Sequence, residues 1–298
     1  MFVRSGKSNF SKPKRAKGLV LLLCMVFLLT VVNFTPVMAV DPVVDGKFTI
    51  AIIPDTQNEV TNSAAITGEW FKNRTQWLVN NKSTLDLRYV LATGDLANWP
   101  AHDADQMPII ATGLQVLGSA GIPYLPALGN HDTAATGVGG SAAPGDASVN
   151  VRNTTAFNSA VPLSRFPGIV TFESNKVENS YRTFEAEGKK WMVLSLELWP
   201  RTAAINWAKG VVQNHPDHNV IIQTHSYLNG DGSINQSNGG YGSNSPQYLY
   251  DNLVKVYPNI RFVFSGHVGA AAKREDTGVN GNKIVSILGC FHSTTTNP

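Results

Sequence analysis

The 298-residue sequence holds only two cysteines, Cys24 and Cys290, and little charge, with 15% of its residues Asp, Glu, Lys or Arg. Two cysteines cannot build the disulfide framework that replaces a core in small secreted scaffolds. So little charge beside 43% hydrophobic residues also excludes a disordered chain or a coiled coil, so a sizeable apolar core must hold the fold. Long apolar runs are scarce as well. The one that stands out, residues 18–32, is short for a membrane span, which needs about 20 residues.

That run follows six basic residues (Arg4, Lys7, Lys12, Lys14, Arg15, Lys17) and precedes Val37-Met38-Ala39, whose small residues suit a signal peptidase. Residues 1–39 are therefore expected to be a signal peptide cleaved after Ala39, and the protein to be secreted; an uncleaved anchor is the alternative. Leu23 stands before Cys24 where a lipoprotein signal needs a small residue, so no lipid anchor is expected, and the mature chain keeps Cys290 alone. The leader also accounts for the net charge of +3: removing its six basic residues from 24 leaves 18 against 21 acidic ones, a body of charge −3. A polycationic surface for nucleic acid is thereby excluded. Oligomeric state leaves no signature.

Past residue 40 the hydrophobic pattern alternates between strand and helix periods. Strands are expected over 47–53, 88–93, 122–128, 180–186, 191–196, 219–223, 261–264 and 283–288, and helices over 65–80, 106–118, 201–213 and 246–256. Glu187-Gly188-Lys189 marks a hairpin. Residues 134–150 and 229–245, rich in Gly, Asn, Ala and Ser, are expected to be surface loops that carry specificity. Residues 40–298 read as one α/β domain, and the abrupt polar end at 293–298 leaves a closing C-terminal strand unaccounted for.

The informative pattern is where metal-binding residue types fall. Asp55, Asp95, Asn130, His225 and His267 each lie just past the C-terminal end of an expected strand, the rim on which open α/β sheets place ligand sites. Singly, each is an ordinary turn or rim residue. Together, two carboxylates, a carboxamide and two imidazoles form an oxygen and nitrogen cage for Mn, Fe, Co, Ni or Zn. A carboxylate such as Asp95 is able to bridge two ions about 3.5–4 Å apart, and such a pair binds phosphoryl oxygens while activating water. Phosphoester hydrolysis is the natural chemistry.

The blocks Asp55-Thr56-Gln57, Gly94-Asp95-Leu96-Ala97-Asn98, Gly129-Asn130-His131-Asp132, Thr224-His225 and Gly266-His267-Val268-Gly269 resemble, in order, those of the calcineurin-like metallophosphoesterases. The resemblance implies a four-layer αββα sandwich of two mixed β-sheets flanked by helices. It implies that Asp95 bridges two divalent cations, that Asn130, His225 and His267 complete one, and that Asp55 holds the other. By the same resemblance His131 steadies the phosphate and protonates the leaving oxygen, with Asp132 orienting its ring.

Two family positions differ: Gln57 and Gly269 stand where histidines are usual, and both changes fall on the cation beside Asp55. Gln57 offers that cation a neutral amide oxygen. A weaker, oxygen-preferring site is the expectation carried forward; a stand-in ligand, His292 or Glu197, and a one-metal protein are the alternatives. Arg201 and Tyr227 are weaker candidates for phosphate contact, and Trp99 for a pocket wall. The activity expected is hydrolysis of phosphomonoesters or phosphodiesters, and the rival reading is a binding protein that keeps the fold with one cation site degraded.

Overall fold

A computed structural model of the protein describes residues 46–60 and 69–290, so the expected signal peptide, the first residues of the helix expected at 65–80, and His292 lie outside the described residues. Three strands, β1 (Thr49–Ile53), β2 (Leu87–Ala92) and β3 (Tyr124–Pro126), form a parallel sheet in that order. Parallel neighbours need a crossover between them. Helix α1 (Glu69–Asn80) and the single turn α2 (Lys82–Leu85) lie between β1 and β2, and α3 (Gln106–Ser119) lies between β2 and β3. In α1 the buried positions Phe71, Thr75 and Leu78, and in α3 Ile110, Leu114 and Leu117, recur every three or four residues, so each helix lays one stripe on the sheet.

The rest of the chain builds a seven-stranded sheet. Its strands are β4 (Val170–Thr171), β5 (Ser180–Ala186), β6 (Lys189–Ser195), β7 (Asn219–Gln223), β8 (Ile260–Ser265), β9 (Ala271–Thr277) and β10 (Lys283–Gly289), in the spatial order β4-β5-β6-β7-β8-β10-β9. The centre, β6 to β7 to β8 to β10, is parallel, and the flanks are antiparallel. Glu187 (φ 50°) and Gly188 (φ 66°) close the β5–β6 hairpin with two left-handed residues, as a turn matching the strand twist requires.

Period-two burial stacks the layers. On β7, Val220 and Ile222 join one core cluster with Ile205, Ala208 and Val212 of α6 (Thr202–Gln213), while Ile221 between them joins the other cluster with Val90 and Leu91 of β2. On β6, Met192 and Leu194 share the first cluster and Val193 the second. The order is helix, small sheet, large sheet, helix: the expected four-layer sandwich of two sheets flanked by helices. Of the two sheets, only the larger is mixed; the described strands of the smaller are all parallel.

The structure departs from the sequence expectation in several elements. Strand β9 carries Lys273-Arg274-Glu275-Asp276 and so shows no apolar face; pairing with β10 and the ion pairs of Glu275 with Lys273 and Lys283, both at 2.7 Å, hold it at the sheet edge. The helix expected at 246–256 is the turn α7 (Pro246–Leu249) followed by a π-helical turn, Tyr250–Val254. Two short helices, α4 (Ala147–Asn150) at the end of the first loop and α5 (Thr155–Ala160), fall where the sequence showed no periodicity. No helix among the described residues is long and apolar enough to cross a membrane.

Candidate metal centre

Strands β1, β2, β3, β7 and β8 end at a common rim, and the chelating residues follow them. Asp95, His225 and His267 offer ligand atoms that all lie within 4.8 Å of one another. His225 Nε2 stands 3.0 Å from Asp95 Oδ2, and His267 Nδ1 stands 3.2 Å from His225 Nε2. Asp55 joins them through the backbone: His267 N–H donates to its Oδ1 at 2.9 Å. The His131 N–H donates to Asp95 Oδ1, also at 2.9 Å, which docks the segment after β3 onto the same carboxylate.

Tautomer and approach are fixed locally. A carbonyl only accepts, so His225 Nδ1, 2.8 Å from the Thr93 oxygen, carries a proton and turns Nε2 toward Asp95. Asp95 (φ 52°) and His267 (φ 73°) both occupy the left-handed region, at a cost of about 1–3 kcal/mol each, and both follow a glycine. Close approach demands glycine at one further position, Gly129, and again at Gly266. A Cβ on Gly129 would fall 2.0 Å from Asp95 Oδ1, and one on Gly266 2.1 Å from Asp55 Oδ2.

Charges are tuned by burial and by each other. Burial pushes Asp55 up to about 7, with the neighbouring Asp95 charge adding to the rise and His225 opposing it. Burial pushes Asp95 the same way, but the imidazoles of His225, His131 and His267 outweigh it and hold Asp95 below the usual carboxylate range. Burial pulls His225 down, yet Asp95 and Asp55 carry it up to about 9. Several buried oxygens on these sequence blocks have no hydrogen-bond partner, among them Asp55 Oδ2, Asn130 Oδ1 and Gln57 Oε1. An unmet buried acceptor costs about 1–3 kcal/mol. Orphaned oxygens, two imidazoles, two carboxylates and glycines that clear the space fit one or more hard to borderline divalent cations.

The structure corrects the partner of His131. Asp132 is buried behind the site, where its carboxylate accepts from Ala97 N (2.8 Å) and Gly129 N (2.9 Å) and staples the second block to the third. The ring of His131 is oriented instead by Asn98, whose carbonyl oxygen and Oδ1 lie 2.9 and 2.6 Å from Nδ1. Asn98 is the last residue of the second block, the one signal in the sequence that could have found it. Burial and the Asp95 charge raise Asp132 to about 7 against its two backbone donors.

Three weaker candidates are engaged elsewhere. Tyr227 is fully buried in the core between the large sheet and its helices. Arg201 binds Glu197 through Nε (2.8 Å) and Nη2 (2.9 Å) and also pairs with Glu173. Glu197 is occupied by Arg201, by Asn179 Nδ2 at 3.0 Å and by Arg152 at 3.5 Å, which leaves it no freedom to replace a missing ligand. Gly269 is exposed, and Trp99 is half-buried with its backbone N–H donating to Gln106 Oε1.

The Glu197 network has a pH signature. Burial raises this carboxyl, but hydrogen bonds from Arg201 and the charge of Arg152 bring it below its ordinary 4.5. A depressed carboxyl stabilises the fold above its unfolded value and loses that contribution as pH falls through the folded one. Glu197→Gln is therefore expected to destabilise the fold at neutral pH, because it leaves Arg152 and Arg201 without their shared carboxylate, with the gap to wild type narrowing as pH falls below 4.5. Urea unfolding of both proteins between pH 7 and 3 checks this; a gap that stays constant would contradict it.

Residues 48–270 match the family model of the calcineurin-like phosphoesterases. Over 237 residues the chain is 27% identical to the uncharacterized protein YvnB of Bacillus subtilis (strain 168); the match covers 79% of this chain, which spans 16% of that relative's length. Among solved structures, a dimetal phosphatase from Danio rerio is similar with a TM-score of 0.47 and 12% identity, covering 81% of this chain and 87% of its own. TT1561 of Thermus thermophilus is similar with a TM-score of 0.41 and 11% identity, covering 80% of this chain and 87% of its own.

Proposed function

The chain belongs to the calcineurin-like phosphoesterases, and on that premise we propose that it is a secreted, metal-dependent hydrolase of phosphomonoesters or phosphodiesters. The observation that carries the reading is the convergence of Asp95, His225 and His267 within 4.8 Å, with unpartnered buried oxygens on Asp55, Asn130 and Gln57 of the same sequence blocks in support. Divalent cations supply Lewis acidity, activating water and offsetting phosphoryl charge.

The residues divide the remaining work. Asp95 would be shared by two cations, with Asn130, His225 and His267 holding one and Asp55 with Gln57 the other. Thr93 holds the His225 ring so that Nε2 is the binding atom. Asn98 fixes the proton of His131 on Nδ1, which makes Nε2 the atom that receives a proton from water and hands it to the departing oxygen. Asp132 acts on the backbone, keeping Gly129 and Ala97 in register. With imidazole replaced by the Gln57 amide, and Gly269 in the last block, the Asp55 side is the weaker of two sites. Secretion is inferred from the basic and apolar leader at residues 1–39, and residues 40–298 form the catalytic domain.

The test uses protein stripped by a chelator and titrated with Mn²⁺, assayed on aryl phosphate monoesters and diesters and on a carboxyl ester. Phosphoester turnover is expected to vanish on stripping and return with the ion, in two phases of unequal affinity, while the carboxyl ester stays intact. Turnover indifferent to chelation would overturn the reading. Ion binding without turnover of any phosphoester would favour the binding protein that Gln57 and Gly269 suggest.

A further inference from the structure

Between the two loops rich in small and polar residues lies a hydrophobic cluster separate from both main cores. Ala135 and Val151 come from the first loop region, Leu198 and Trp199 from the segment after β6, and Tyr241 from the second loop. Trp199 is the centre of it. Its ring stands edge-on to His267, with centroids 5.4 Å apart at 85°, and the Tyr241 ring covers it at 5.6 Å. The second loop is shaped to this indole: a Cβ on Gly239 would lie 2.8 Å from Trp199 Cη2, and one on Gly242 2.1 Å from Trp199 Cβ.

A bulky residue at φ 44° is a rare conformation that the surroundings have to impose. Two contacts impose it. Arg152 donates from Nη1 to the Leu198 oxygen at 2.9 Å and from Nη2 to the Trp199 oxygen at 2.7 Å, and Ser243 N–H donates to the same Trp199 oxygen at 3.2 Å. Arg152 belongs to the first loop region and Ser243 to the second. Both loops are thus fastened to one residue, whose ring abuts an imidazole of the cation cluster.

We propose that Trp199 is a positioning residue that locks both loops to the site and holds the His267 imidazole in its binding orientation, so that loop order and cation affinity are coupled. The inference rests on the reading of His267 as a ligand. Outer partners that orient a ligating histidine are worth about 10–100-fold in affinity.

The experiment titrates chelator-stripped protein with Mn²⁺ by calorimetry and maps limited proteolysis of the metal-free protein at residues 134–153 and 229–245. Trp199→Leu is expected to weaken Mn²⁺ binding about tenfold and to open both loops to cleavage, whereas Trp199→Phe, which keeps a ring against His267, recovers most of the affinity. Tyr241→Ala, at a half-buried loop position, is expected to expose the second loop and lower affinity in the same direction, and it decides the matter should Trp199→Leu fail to fold. Wild-type affinity or wild-type loop protection in the leucine variant, or in the Tyr241 variant in its place, overturns the proposal, as does a phenylalanine variant no better than leucine. His267→Ala separates the two ideas. If it binds Mn²⁺ like wild type, the reading of the site has failed and this inference with it; if it binds weakly while Trp199→Leu does not, the inference alone has failed.

Discussion

Asp95→Asn is expected to cut phosphoester turnover by at least about a thousandfold, which is about 4 kcal/mol in the barrier, and to leave the purified protein nearly free of divalent metal. The substitution keeps the size of the side chain and removes its charge. In the native arrangement that charge does three things at once: it faces His225 Nε2 at 3.0 Å, it accepts the His131 N–H, and it offers a ligand atom within 4.8 Å of both His225 and His267. An amide can replace the hydrogen bond to His131. It cannot compensate two cations, and its NH₂ group presented toward His225 would block the position a ligand atom must fill. Elemental analysis beside turnover of an aryl phosphate checks both halves, and a variant that retains its metal and more than a tenth of its rate would refute the bridging role.

His131→Ala is expected to separate chemistry from metal binding: a rate loss of about 10²–10⁴, the usual worth of a positioned acid or base, with metal content unchanged. Its size should depend on the alcohol released. A nitrophenolate leaves without help, whereas an alkyl alkoxide needs a proton, so the ratio of the two rates should widen in the variant. Asn98→Ala should move the same ratio in the same direction by less, because it removes the Oδ1 contact at 2.6 Å and leaves the backbone oxygen at 2.9 Å in place. Equal losses on both alcohols would mean that His131 only binds the phosphoryl group.

The strands that carry the site were legible because burial leaves no choice in their composition. The interior of β7 is Val220-Ile221-Ile222, apolar on both faces because the sheet is covered on both, and the polar residues resume where the strand reaches the rim. Strand β9 was not legible, since an edge strand held by alternating ion pairs has no apolar face to read. Asp132 was misread for a different reason. Its place beside His131 in sequence suggests a shared hydrogen bond, yet the turn at Gly129 sends its carboxylate to two backbone amides and brings Asn98, 33 residues earlier, against the ring. Glu197 looked available because the sequence does not reveal that Arg152 and Arg201 converge on it. Trp199 gave no signal at all: its importance depends on a left-handed backbone and on two loops, neither of which has a periodicity.

Small and large sheets each end at the proposed cation site, Asp55, Asp95 and Asn130 following strands of one and His225 and His267 following strands of the other. On the proposed ligand set, ion binding would work as a rivet through the sandwich, since sliding one sheet past the other would pull its ligands apart. Anything that binds the folded form and not the unfolded one raises the melting temperature by mass action. Starvation for divalent ions would then reach beyond chemistry: it would loosen the joint between the two sheets.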